Sequence, residues 1–130
     1  MNTAPRQGDI GRKTLWFGLL GGALSWTAHL MFAYGAAEFG CVGQQDEESY
    51  AGISRVAWMQ IALTVATATC SAIATAVAYR NHRRLQLQGK LSDAVASEGY
   101  LAKAGAMTSG IFTFVILFES IPIFYYLRDC

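Results

Sequence analysis

Among the polar side chains within long apolar stretches of the sequence, four stand close to one level: His29, Gln60, Thr64 and Glu119. A histidine in such a place can hold or pass a proton, or ligate haem or copper. A charged carboxylate in hydrocarbon costs at least ~2.5 kcal/mol even on lenient scales, so Glu119 must pair or stay protonated. His29 is the expected partner. An amide and a hydroxyl complete a set that can hydrogen-bond across helices.

Three readings of this set compete. In the first, the four residues are interhelical hydrogen-bonding glue. In the second, Glu119 or His29 faces a partner subunit or takes part in a proton path. In the third, His29 is an axial haem ligand or a copper ligand. A lone histidine cannot supply bis-histidine ligation, and no second histidine, methionine pair or cysteine-rich motif lies at its depth. No metal or other cofactor is therefore expected. His82 stands in a basic stretch and reads as a solvated loop residue.

The elements that must position these groups follow from hydropathy. The chain is 53% hydrophobic and 15% charged, apolar for a soluble domain. Three segments, Leu15 to Ala37, Val56 to Tyr79 and Ala104 to Leu127, each run roughly 23 residues, and only the third holds a formally charged residue. At about 1.5 Å per residue each reaches about 35 Å, enough to span a bilayer core. The expected fold is all-α, an integral membrane bundle of three helices forming one domain over residues 1–130, with lipid as its surroundings.

The first segment is too long for the roughly 7 to 15 apolar residues of a secretory signal, and Glu38-Phe39-Gly40 before Cys41 matches a lipoprotein signal poorly. It reads as an uncleaved anchor. A net charge of +1 argues against a nucleic-acid partner. No repeat, glycine-rich phosphate loop, nucleophile elbow or paired catalytic carboxylates occur, so no enzyme is expected.

Basic residues favour the cytoplasmic side of short loops. Arg6, Arg12 and Lys13 precede the first span, and Arg80, Arg83, Arg84, Lys90 and Lys103 lie in the connection 80–103. The connection 38–55 has Arg55 against Glu38, Asp46, Glu47 and Glu48. The expected topology puts the amino terminus inside and the carboxyl terminus outside. His29, Thr64 and Glu119 then each lie eight residues, about 12 Å, below the outer boundary, with Gln60 one turn away. Pro122 cannot donate to the carbonyl of Phe118, which leaves an acceptor beside Glu119 and favours a kink.

Cys41 and Cys130 fall just beyond the outer ends of the first and third spans, where thiols tend to pair, and a Cys41 to Cys130 disulfide is expected. Cys70, in mid-span, reads as a small packing residue. The Asp46-Glu47-Glu48 run is read as a solvated loop, with docking of a basic partner such as a c-type cytochrome as the alternative. Leu85, Leu87, Leu91, Val95 and Leu101 in the inner connection suit a short surface helix, its arginines against anionic headgroups.

Membrane helices meet at small and polar residues. Gly18, Gly22, Ser25, His29, Ala33 and Ala36 form one helical stripe, and Ala57, Gln60, Thr64, Thr67, Ser71, Ala74 and Ala78 form another; the two are expected to face each other. Leu19, Leu30, Met59 and Leu63 fall off the stripes and are expected to meet lipid. The third span is small only around Gly105, Thr108, Ser109 and Gly110, and aromatic towards its outer end.

The run Trp16-Phe17-Gly18-Leu19-Leu20-Gly21-Gly22-Ala23-Leu24-Ser25-Trp26, then His29, Tyr34 and Cys41, and Glu119-Ser120-Ile121-Pro122 with Cys130, resembles an uncharacterised bacterial family. Its members are small three-span membrane proteins often encoded beside haem-copper cytochrome c oxidase genes. The resemblance covers the three spans and neither connection. A proline is common in that family where Ala23 stands and before the last cysteine, where this chain has Asp129. The resemblance implies an inner-membrane accessory or assembly protein of a terminal oxidase, docking on partner subunits through its helices. The rival from another class is a haem- or quinone-binding anchor subunit; a small transporter subunit is weakened by the single intramembrane acid.

Overall fold

The computed structural model describes residues 11–42, 49–87 and 93–128. Helix α1 spans Arg12–Ala36 and runs into a π-helical turn, Ala37–Val42. A two-stranded hairpin follows, β1 (Ser49–Tyr50) and β2 (Ile53–Ser54), and then the long helices α2 (Arg55–Leu87) and α3 (Asp93–Arg128). All three helices are long and apolar enough to cross a membrane. Apart from the hairpin, the described chain is the expected helical bundle.

Most of the 80–103 connection is not loop. α2 continues to Leu87 and α3 begins at Asp93, so both project beyond the apolar spans by two turns or more. Arg80, Arg83 and Arg84 are exposed on the last turns of α2, while Asn81 and Leu85 are buried on its opposite face. Leu15, Leu85 and Ala102 close this end of the bundle with one residue from each helix.

At the other end, which we call the hairpin end, Ser54 joins two elements. Its hydroxyl accepts a hydrogen bond from the Ala57 amide at 3.1 Å, capping α2, and donates to the Leu127 carbonyl of α3 at 2.7 Å. The hairpin pairs Ser49 with Ser54 and Tyr50 with Ile53 through a two-residue turn. Ala51 (φ 55°) and Gly52 (φ 72°) both take positive φ, as a twisted hairpin turn of this length demands. The local sequence does not signal this turn, because alanine is a poor occupant of that region.

The bundle is packed with small residues and surrounded by large ones. Gly18, Gly21, Gly22, Ala33, Ala57, Ala74 and Ala78 are buried, whereas Leu24, Met31, Phe32, Val65, Met107 and Phe114 are all more than half exposed. That inversion is what hydrocarbon surroundings permit: lipid makes large apolar side chains harmless outside, and close backbone approach holds the helices together. Leu30 and Met59 are exposed as expected, but Leu19 and Leu63 are half-buried. Cys70 is exposed on the outside of α2 and not packed within it.

The two stripes meet as expected over part of their length. A Cβ on Gly18 would come within 2.9 Å of the Ala78 Cβ, while Gly21, outside the expected stripe, is the residue set against Ala74, where a Cβ would come within 2.8 Å of the Ala74 Cβ. Gly22 turns instead to α3, where a Cβ would sit 2.5 Å from the Ser109 Cα. A Cβ on Gly105 would reach the Gly18 carbonyl group at 3.0 Å, so α3 shares the same crossing. α3 also stays helical through Pro122.

Candidate functional site

Two polar layers cross the bundle. The one nearer its middle is built on Ser109, which is fully buried. The Ser109 hydroxyl donates to the Gly18 carbonyl at 2.7 Å and accepts from the Gly22 amide at 3.2 Å. Ser71 of α2 donates to the Ser109 carbonyl at 3.1 Å, and Thr113 lies 2.8 Å from both the Ser71 hydroxyl and the Ser109 carbonyl. One serine thereby joins all three helices, and the buried hydroxyls of Ser71 and Ser109 find acceptors that hydrocarbon does not supply.

The second layer lies towards the hairpin end and contains the residues singled out in the sequence. His29 is fully buried. Its Nδ1 is 3.3 Å from the Thr67 hydroxyl of α2, and its Nε2 is 3.2 Å from the Ser120 hydroxyl of α3. Thr64 reaches the same Ser120 hydroxyl at 3.3 Å. The histidine therefore bridges two helices, with both ring nitrogens engaged.

The proton count of this cluster is restricted. Thr67 is within 2.9 Å of the Leu63 carbonyl and Ser120 within 2.5 Å of the Ile116 carbonyl, each on its own helix. A hydroxyl has one proton to give. If both hydroxyls donate to those carbonyls, both accept from the ring, which must then carry a proton on each nitrogen. If the ring is neutral, one hydroxyl turns from its carbonyl to the ring.

Glu119 does not pair with His29. Its Oε2 accepts a hydrogen bond from the Trp26 indole Nε1 at 3.2 Å, and its Oε1 is enclosed with no partner. The reason is helix rotation: Ser120, the next residue on α3, is the one turned to the bundle axis, which sets Glu119 about 100° away and beside α1. Trp26 is fixed by its own packing against Phe112, ring centroids 5.3 Å apart. Glu119 remains half-exposed at this seam.

Gln60 is 2% exposed, yet neither its amide nitrogen nor its amide oxygen has a partner. At the far end of α2, Asn81 is 5% exposed with its Nδ2 unpartnered. His82 is half-buried on α2 with Nδ1 enclosed and unpartnered, not a solvated loop residue. Cys130, the side chain of Cys41 and the Asp46-Glu47-Glu48 run lie outside the described residues, so the expected disulfide and the acidic loop do as well. Among the described residues no group of three or more His, Cys, Asp or Glu side chains could hold a metal ion.

Of the four predicted residues, His29 and Thr64 share a network through Ser120, Glu119 adjoins it, and Gln60 stands alone. Ser120, Thr67 and Trp26 are the members that polarity alone did not single out for this layer. Thr67 was in the α2 stripe, and Trp26 and Ser120 were among the residues carrying the family resemblance. The fold and site define a membrane-type three-helix bundle with an internal histidine and hydroxyl cluster. In comparison with known proteins, the chain matches no family model, no curated protein and no solved structure.

Proposed function

We propose that this chain is a non-enzymatic accessory or assembly protein of a respiratory terminal oxidase, resident in a bacterial inner membrane and acting by docking through its helices. The observation that carries the docking part is a division of labour in the bundle. The histidine cluster is closed upon itself, with His29 fully buried and both its nitrogens occupied. The chemistry left over, Glu119 among exposed aromatic residues, lies on the outside. The oxidase as partner, and the inward amino terminus, rest on the sequence resemblance and on the basic residues. Purification from native membranes tests the reading: oxidase subunits should copurify, and a chain recovered alone counts against it.

A second reading, a haem- or quinone-binding anchor subunit, is favoured by one observation. The Gln60 amide has a free donor and a free acceptor, as a quinone site would need. Haem at His29 would require breaking the bond to Thr67 or to Ser120. The absorption spectrum of the pure protein decides: a Soret band lost in His29→Ala supports the anchor, and a colourless protein removes the haem form of it.

A further inference from the structure

The carboxyl of Glu119, half-exposed with its Oε1 enclosed, and the backbone beside it hold acceptors without donors. Oε2 takes one neutral hydrogen bond, from Trp26, and Oε1 takes none. Pro122 has no N–H, so the Phe118 carbonyl one residue away receives no helical donor. His29 cannot serve as counter-ion by direct contact, because Thr67 and Ser120 occupy both of its nitrogens. The surface of α3 beside it is apolar and open: Phe118, adjacent in the chain, and Tyr126, seven residues on along the same face as Glu119, are each more than half exposed.

In its ionised form such an acid calls for a cation. The depth of Glu119, about 12 Å from the end of its span, is beyond lipid amines held at the headgroup layer. A second copy of this chain has none to offer either, since its three apolar spans contain no lysine or arginine. The complement must come from a different polypeptide, within its own membrane span.

We propose that the seam between α1 and α3 at Glu119 docks a transmembrane helix of a partner protein that carries a lysine or arginine at this depth, aimed at the Glu119 carboxylate and the Phe118 carbonyl. The proposal rests on the docking reading above and names its face and its chemistry. Trp26 holds the carboxylate towards the seam, and the exposed rings of α3 flank the incoming helix. An ion pair shielded in hydrocarbon is much stronger than one at a wet surface.

The test places a benzophenone amino acid at Phe118, or at Ala66 on the exposed face of α2, in the full chain expressed in its native membranes. The expected result is an adduct from Phe118 to a membrane helix bearing Lys or Arg within about two turns of the linked residue. That adduct should fall about tenfold, equivalent to about 1.4 kcal/mol, in Glu119→Gln, and persist in Trp26→Phe, which keeps the acid. A Phe118 adduct confined to lipid, to a second copy of the chain or to a helix without a cation overturns the proposal, as does an adduct indifferent to Glu119→Gln. A protein adduct from Ala66 alone overturns it while leaving docking intact. No protein adduct from either position overturns both.

Discussion

Gly22 and Ser109 are in such close approach that a single added carbon on the glycine would lie 2.5 Å from the Ser109 Cα. The helices α1 and α3 therefore cross at van der Waals limits, and the serine hydroxyl uses that proximity to donate to the Gly18 carbonyl. Gly22→Ala should destabilise the bundle by about 2 kcal/mol, as overpacking does. Gly35→Ala, where nothing lies within 4 Å, should be neutral or stabilising by up to about 1 kcal/mol. Unfolding of both variants in mixed micelles checks this; equal losses would remove the crossing.

The His29 cluster makes a graded prediction. Thr67→Val and Ser120→Ala each remove one partner of the ring, and each should cost about 0.6 kcal/mol and no more than about 1.7, the average and the maximum for hydrogen bonds between membrane helices. His29→Ala removes both bonds and leaves a buried void, and should cost about 3 kcal/mol or more. The same micelle unfolding experiment reads all three. A His29→Ala variant as stable as the parent would mean that the ring holds nothing together.

How much of this was legible in the sequence differs from residue to residue. The spans and the stripe of α1 were readable because helical period and residue size together fix which side can be approached closely, and Gly18, Gly22, Ser25, His29 and Ala33 are all buried. That His29, Thr64 and the segment at Glu119 and Ser120 share one level of the bundle was readable from counting along each span. The rotation of α3 was not: choosing between Glu119 and Ser120 as the partner of His29 depends on a turn of about 100° that large and small residues on α3 do not dictate. Polarity drew attention to the glutamate, while geometry gave the histidine to the serine. Cys70 was misplaced for a related reason, because a small residue fits either inside a tight bundle or on a lipid-facing surface. The hairpin was hidden because its turn opens on Ala51.

Gln60 gives a prediction of opposite sign. A buried amide with neither atom paired is a burden of about 1 to 3 kcal/mol, so Gln60→Met, similar in volume and free of that demand, should raise stability by about 1 to 2 kcal/mol. Thermal unfolding in detergent reads the change. A loss of stability would show that the amide has a partner, as the quinone reading requires.

The turn at Ala51 should be improvable. A non-glycine residue held at positive φ costs about 1 to 2 kcal/mol relative to the ordinary region, so Ala51→Gly should relieve most of this and slow amide exchange in the β1 and β2 pair. Faster exchange in the variant would contradict the turn geometry.

The most direct measurement of the account is made on the oxidase and not on this chain. Terminal oxidase purified from cells lacking this gene should be recovered with reduced assembly, haem content and activity, restored by the parent sequence. Oxidase unchanged in all three would contradict the proposed function.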